Sequence, residues 1–388
     1  MDRRAFVRLV GGGVVVAAAA PLAGCSSAIP PEAVAAWSGA GNETDLRRWI
    51  VAHAILAPHS HNLQSWLVDL RTPDEIVLRC DRGRLLPVTD PYSRQIMMSH
   101  GTFLELLVLA ARQRGQRAEV TLFPEGAFDE RTVDDRPVAR VRLVPDASLA
   151  PDPLFAQVLK RRTNRNAYDA ARPVPAQAWQ ALAAAMAVPD TPAPLAFGHI
   201  GPDDAAALQR HRAIASQAWK IELTTPAAML ESFKVLRVGA REIAEHRDGL
   251  SLTSPMVVAM TKLGLFDRSQ APRPDSYATT SQLEDFDRKI ATTPGFLWIT
   301  SQGNDRATQV NAGRAYVRVQ LAGTALGLAM HPLQQALQEY PEQAGPHAEI
   351  HALLGAPRPT HTVQMWSRVG HAEPVGPAPR RGLDAHLV

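Results

Sequence analysis

Apolar side chains between residues 45 and 144 recur at spacings that are typical first of helices and then of strands. Residues 45–56 repeat them every three or four positions, which predicts an amphipathic helix, and Pro58 ends it. Residues 101–114 predict a second helix, and because this helix has almost no polar face we expect it to be buried between layers. The strands predicted in this part of the chain are at 66–70, 75–80, 119–123 and 138–144.

A second series of helices and strands follows a proline-rich boundary near 145–153. A helix is predicted at about 177–186, and residues 203–290 have helical or irregular patterns with few strand signals. The strands predicted here are at 195–200, 296–300 and 362–369. The whole pattern predicts an α+β fold in which mixed sheets are flanked by long buried helices.

One internal similarity connects the two series. The apolar helix of the first series recurs 212 positions later, and both copies close with glycine, the usual left-handed stop of a helix. The matching pairs are Gly101 and Gly313, Leu109 and Leu321, Ala110 and Ala322, and Gly115 and Gly327. We therefore predict two related halves in tandem, forming an internal pseudo-dimer. The predicted divisions are 43–150 for the first half, 151–388 for the second, and a helical insertion at about 203–290 within the second.

Composition agrees with this division and excludes some classes of function. The 388 residues allow two or three domains of roughly 150 residues each. An apolar content of 46% with 20% charged residues is typical of a soluble globular chain. Residues 1–24 carry three arginines against one aspartate, so most of the net charge of +3 lies there. The remainder is nearly neutral, which excludes the basic surface of a nucleic-acid-binding protein.

Residues 1–24 resemble an export signal of the twin-arginine type that ends in a lipobox. Paired arginines precede an apolar run at 9–20 that is too short to span a bilayer comfortably, and Leu-Ala-Gly stands before Cys25. We therefore expect an exported, periplasmic or extracytoplasmic protein, anchored in the membrane by lipid on Cys25. An ordinary secretory signal and an uncleaved anchor are the alternatives. Residues 25–42, rich in Ser, Pro, Ala and Gly, are predicted to be a flexible tether.

The densest cluster of charge is Arg161-Arg162-Thr163-Asn164-Arg165. Arginine forks bind phosphate oxygens bidentately, and a hydroxyl group between them adds another hydrogen bond. Three arginines within five residues are therefore a candidate site for one phosphate monoester. A solvated basic end of a helix is the alternative.

A polar loop at 57–66, with the sequence A-P-H-S-H-N-L-Q-S-W, leads from a helix into a strand. Its hydroxyl and amide side chains offer donors and acceptors to a polar heterocycle, and a capped turn that satisfies its own backbone is the alternative. His59 and His61 have no Cys or Glu nearby, so we predict no metal site. The chain lacks a G-x-S-x-G nucleophile elbow, which disfavours a hydrolase.

Together these stretches resemble the nitroreductase superfamily, and most of all its Acg family of FMN-binding oxidoreductases. The loop at 57–66 is similar to the superfamily pattern A-P-S-x-x-N-x-Q-P-W. It departs from that pattern at His59 and Ser65, where serine and proline are usual. The resemblance covers about residues 45–385, and its specificity lies in the order of several short motifs.

The other matching stretches follow the loop in the same order as in the family. Residues 161–165 resemble the R-R-S-x-R element that holds the FMN phosphate, and residues 327–334 resemble the G-L-x-x-x-P segment beside the flavin ring. Arg380 and Arg381 are similar to a C-terminal basic pair that reaches the phosphate. Because the amide loop lies in the first half and the arginines lie in the second, the resemblance implies one FMN per chain, bound between the halves.

The resemblance also implies a role for each candidate residue, and none of them is catalytic because the flavin carries out the chemistry. The residues implied to hold the phosphate are Arg161, Arg162, Thr163, Arg165, Arg380 and Arg381. Those implied to bind the ring or the ribityl chain are Ser60, Asn62 and Gln64. Those implied to present backbone groups beside the ring are Pro332, Leu333 and Gln334.

The implied function is that of a flavin-dependent oxidoreductase which reduces a small acceptor, such as a nitroaromatic or a quinone. A protein that stores FMN with little turnover is one alternative, and a remnant that binds nothing is another. The electron donor is left open, because NAD(P)H is scarce outside the cytoplasm. We expect a monomer without metal, and residues 229–290 are a hypothetical lid over the ring.

Overall fold

A computed structural model of the chain describes residues 28–188 and 195–388. The predicted export signal and Cys25 therefore lie outside the described residues. Within the described ranges, no helix combines the length and the apolar character that crossing a membrane requires.

Both described ranges contain helices and strands. The helices are α1 Pro31–Val34, α2 Leu46–Ala54, α3 Arg94–Gln113, α4 Ala176–Ala185, α5 Ala205–Thr224, α6 Pro226–Lys234, α7 Gly239–His246, α8 Pro255–Lys262, α9 Tyr277–Ala291, α10 Arg306–Ala325 and α11 Ala344–Leu353. The strands are β1 Trp66–Asp69, β2 Glu75–Cys80, β3 Gln116–Leu122, β4 Ala139–Pro145, β5 Leu195–Ile200, β6 Leu236–Val238, β7 Leu250–Leu252, β8 Gly295–Gln302, β9 Ala329–Pro332 and β10 His361–Gly370.

Two four-stranded sheets share one topology. The first has the strand order β1-β2-β4-β3 and the second has the order β5-β8-β10-β9. Each follows the same chain sequence of two strands, a long helix and two more strands. The predicted α+β class is confirmed, but both four-stranded sheets are wholly antiparallel rather than mixed. In both sheets the long helix connects two strands that are not neighbours, since one other strand lies between them, so this crossover makes no parallel pair.

The long helices α3 and α10 pack against each other between the sheets, and both are largely buried. A Cβ atom added at Gly101 would lie 1.9 Å from the carbonyl oxygen of Val310, and one added at Gly313 would lie 1.9 Å from that of Met98. Met98 and Val310 are themselves 212 positions apart, so the two contacts are reciprocal. The helices cross at a pseudo-twofold axis where only glycine allows this approach.

Helix α3 begins at Arg94, earlier than its apolar pattern predicts, because its first turns are polar yet buried. The carboxylate of Asp90 accepts hydrogen bonds from the backbone N–H groups of Gln95 and Ile96 at 3.2 and 3.0 Å. The Arg94 guanidinium donates to the carbonyl oxygen of Leu337 at 2.7 Å. Partners supplied by distant parts of the chain therefore determine where this helix starts.

The segment between β5 and β8 contains the helices α5 to α9. Leu208 and Ile214 of α5 pack with Phe296 and Trp366, so these helices cover the second sheet on its other face. The same segment reaches the first half, where the Glu231 carboxylate accepts hydrogen bonds from the backbone of residues 88 and 89 at 2.8 Å. The inserted helices therefore connect the two halves.

The two ends of the described chain meet on the first half. Residues 31–38, predicted as part of a flexible tether, are instead helical, and Ala33 and Trp37 are buried. The C-terminal tail crosses from the second sheet to the first, where Leu387 forms a parallel bridge with Val68. Burial of the Trp37 ring offsets part of the conformational entropy that ordering this segment costs.

Candidate functional site

The loop at 57–66 has a tightly defined backbone. His61, Asn62 and Gln64 have positive φ angles of 48°, 54° and 55°. Asparagine and histidine tolerate this region, but glutamine adopts it only where the surroundings impose it. Ser99 of α3 supplies part of that constraint, because its hydroxyl accepts from the Ser60 N–H at 3.1 Å and its carbonyl oxygen accepts from the Trp66 indole at 3.2 Å.

His59 and Ser65 are the two residues at which the loop differs from the family pattern, and they form hydrogen bonds with each other. The Nε2 atom of His59 accepts from the backbone N–H of Ser65 at 3.1 Å and lies 2.7 Å from its hydroxyl oxygen. Nδ1 of the same ring lies 2.8 Å from the carbonyl oxygen of Ser60, so Nδ1 carries the proton. Burial lowers the pKa of His59 well below its usual value, in agreement with a neutral ring. The proline that is usual at position 65 has no N–H to donate to His59, so His59 and Ser65 form a matched pair.

The amide side chains of the loop connect it to other segments. Asn62 donates to the carbonyl oxygen of Pro379 at 3.0 Å and accepts from the Arg380 guanidinium. Gln64 donates to the carbonyl oxygen of Arg247 at 2.9 Å and accepts from the N–H of Arg381 at 2.9 Å. These side chains thus hold the tail and the inserted segment against the loop, and their assignment to a flavin stays a prediction.

The predicted phosphate-binding arginines converge on the start of this loop from two directions. Arg161 donates to the carbonyl oxygen of Leu56 and Arg380 to that of Ala57, each at 2.9 Å. Thr163 is joined to α10 through a hydrogen bond of 3.5 Å from Gln320. The cluster therefore spans the boundary between the halves.

The positive charge of this cluster is not compensated by any carboxylate in the part of the chain that the structure describes. Among the described residues, no carboxylate forms an ion pair with Arg161, Arg162, Arg165 or Arg380. Burial, together with the charge of Arg162, lowers the pKa of Arg161 to about 10. Burial lowers the pKa of Arg380 further from its usual value, and the charges of Arg161 and Arg162 add to this effect. Unpaired buried cations are costly, so the arrangement favours a bound anion.

Arg165 differs from the other members of the cluster because its side chain is exposed and has no hydrogen-bond partner among the described residues. It lies close enough to His61 of the loop and to His331 of β9 to lower the pKa of both rings, although burial is the larger cause for each. The pKa of His61 falls to about 4. Arg165 therefore lies near both the amide loop and β9, where both rings are neutral.

Residues 332–334, which the resemblance places beside the flavin ring, are bound to strand β10. The N–H of Leu333 donates to the carbonyl oxygen of Trp366 at 2.8 Å, and Leu333 itself is buried. Gln334 accepts from the N–H of Trp366 at 3.3 Å, while Pro332 pairs with Ser367 in the sheet. Strand β10 thus fixes the backbone of 332–334.

Three further residues at the site belong to none of the predicted sequence motifs. The ring of Trp37 contacts the arginine cluster, Gln320 of α10 binds both Arg161 and Thr163, and the carbonyl oxygen of Arg247 binds Gln64. The only local signal was a single tryptophan within a stretch of small residues at Trp37. The other two come from segments distant in sequence, so tertiary structure alone reveals them.

Comparisons with known proteins give the following similarities, and no family model matches the chain. Two Mycobacterium tuberculosis proteins, "Putative NAD(P)H nitroreductase Rv3131" and "Putative NAD(P)H nitroreductase MT3217", are each 28% identical over 345 residues, covering 87% of this chain and 89% of their own. The FMN-dependent nitroreductase NfnB of Mycobacterium smegmatis, solved with NADPH, is 19% identical with a TM-score of 0.38, over 59% of this chain and 94% of its own. An FMN-bound nitroreductase of Bacteroides fragilis is 13% identical with a TM-score of 0.33, over 57% and 89%.

Proposed function

We propose that this protein is an FMN-binding oxidoreductase of the nitroreductase type, with one flavin per chain held between the halves. The observation that carries the proposal is the cluster of arginines without carboxylate partners, drawn from 161–165 and from the C-terminal tail. The similarity to the two mycobacterial proteins covers most of this chain and most of each relative, and it supports the same function.

The residues present fit the phosphate end of FMN. The Nε atoms of Arg161 and Arg380 are buried without a partner, so each still has a hydrogen to donate. A phosphate monoester supplies charge and several acceptor oxygens, which suits guanidinium groups arranged in this way. The exposed Arg165 and the hydroxyl group of Thr163 add further donors to this set.

Bound FMN would supply the redox chemistry, taking up hydride at N5 and passing electrons to a small acceptor such as a nitroaromatic or a quinone. The chain's own residues anchor and enclose it. Arg161, Arg165 and Arg380 hold the phosphate, while the backbone of 332–334 borders the ring. His61, with its pKa near 4, is neutral at physiological pH, so it adds no second positive charge beside Arg165.

The as-isolated protein is expected to be yellow and to contain about one equivalent of FMN per chain. The visible absorbance of the flavin, with FMN quantified after denaturation, measures this content. Colourless protein that takes up no added FMN contradicts the proposal. Bound flavin that neither NAD(P)H nor a quinol reduces would instead favour storage.

We also propose that the protein is exported and held at the membrane by lipid on Cys25, on the basis of residues 1–25 of the sequence. Cell fractionation is expected to find it in the membrane fraction, facing the extracytoplasmic side, and Cys25→Ser is expected to release it from the membrane. A wholly cytoplasmic pool would contradict the export signal. Membrane attachment that survives Cys25→Ser would contradict lipidation.

A further inference from the structure

The segment 31–38, hereafter the N-terminal strap, places an aromatic ring against the arginine cluster. The ring of Trp37 has the guanidinium carbon of Arg162 at 4.4 Å from its centroid, and those of Arg161 and Arg380 at 5.4 Å each. The tryptophan itself is only 8% exposed. One indole therefore contacts three cations that come from two distant parts of the chain.

The strap is attached to the tail that carries Arg380. The Trp37 indole N–H donates to the carbonyl oxygen of Ala378 at 2.8 Å. The backbone N–H of Arg380 donates to the carbonyl oxygen of Ala33 at 2.8 Å. These two bonds fix the tail on either side of residue 379, so the strap determines where the Arg380 side chain enters the cluster.

The choice of an aromatic ring has a physical consequence. Three guanidinium groups repel one another, and an acidic residue placed among them would hold them together but would also neutralise the site. The face of an indole attracts cations through its quadrupole without carrying a net negative charge. Trp37 thus holds the arginines together while leaving their positive potential available to an anion.

We propose that Trp37 is a positioning residue for the cofactor phosphate, and that the N-terminal strap is part of the binding site. This inference rests on the proposed function, because the anion that it serves is the FMN phosphate. Trp37 lies outside the stretch that resembles the nitroreductase superfamily, which begins at about residue 45.

The test compares FMN with riboflavin, which lacks the phosphate. Titration of the flavin-free mature chain by fluorescence quenching gives both affinities for the unaltered protein and for Trp37→Leu, which keeps apolar bulk but removes the ring. FMN affinity is expected to fall about tenfold in Trp37→Leu, as three weakened cation–π contacts imply, while riboflavin affinity is unchanged. Trp179→Leu is the matched control, because Trp179 is also buried but stacks on His199 instead of on arginines.

The outcomes separate this inference from the proposed function. If the unaltered protein binds neither flavin, the proposed function fails. If it binds riboflavin as tightly as FMN, the phosphate anchor fails, and the role of Trp37 fails with it, while FMN binding itself stands. If it prefers FMN and Trp37→Leu keeps the whole preference, only the role of Trp37 is overturned. Should Trp37→Leu not fold, Trp37→Phe replaces it. A loss of about threefold for FMN alone then supports the role, and equal losses for both ligands overturn it.

Discussion

Replacing Arg165 with alanine is expected to weaken FMN binding between about tenfold and about a hundredfold without lowering the unfolding temperature. Charge-assisted hydrogen bonds to a phosphate contribute about 1.5–3 kcal/mol each, which corresponds to this range. The fold does not depend on this side chain, because it is exposed and makes no hydrogen bond to the described residues. Flavin titration and thermal unfolding of the same Arg165→Ala sample measure the two quantities.

The control for Arg165→Ala is Arg172→Ala, which removes another exposed arginine from the same connecting segment. It is expected to change neither quantity. Unchanged FMN affinity in Arg165→Ala would exclude Arg165 from the phosphate site. Arg161→Ala does not separate binding from folding so well, because Arg161 is buried and its loss leaves the carbonyl oxygen of Leu56 without this donor.

The parts of the fold that sequence patterns predict are those determined by local periodicity. The helices at 46–54 and 176–185 and most strands of both sheets follow from the spacing of their own apolar residues. The recurrence of glycines 101 and 313 predicts the pairing of the halves, since each glycine is required by a backbone contact with the other copy. Local patterns therefore predict the helices and sheets of the two halves between which the candidate site lies.

What the patterns do not predict depends on partners distant in sequence. The first turns of α3 are polar, and they are helical because Asp90 and Leu337 satisfy groups that a solvated helix would leave to water. Residues 31–38 have the composition of a tether. They adopt a regular structure because the Trp37 ring contacts the arginine cluster and its indole N–H donates to the tail. In both cases the stabilising contact is absent from the local sequence.

The candidate site shows the same division. The arginine cluster and the amide loop can be recognised as sequence motifs. The hydrogen-bond partners of Asn62 and Gln64 cannot, because they lie in the tail and at residue 247. The two sheets and the crossing helices follow a pseudo-twofold symmetry, but among the described residues the arginine cluster, the tail and the strap each occur once.

Replacing Gly101 with alanine is expected to destabilise the protein by about 3 kcal/mol or more and to abolish FMN binding as well. The added methyl group would lie 1.9 Å from the carbonyl oxygen of Val310, so α3 and α10 must move apart. Overpacking of this kind usually costs about 1–3 kcal/mol, and more when the opposing atom belongs to a backbone that cannot rotate away. Because the arginines and the amide loop belong to different halves, a change in helix spacing also separates the two parts of the site.

The symmetry of the crossing makes this prediction specific. Gly313→Ala should have about the same effect, since its methyl group would meet the carbonyl oxygen of Met98 at the same 1.9 Å. The double variant should be less destabilised than the sum of the two, because either substitution already forces the helices apart. Gly345→Ala in α11, where no atom lies within 4 Å, is the control and should change the free energy of unfolding by no more than about 0.5 kcal/mol. Urea unfolding measures all four, and a Gly101→Ala protein as stable as the unaltered chain would show that the halves are not in backbone contact.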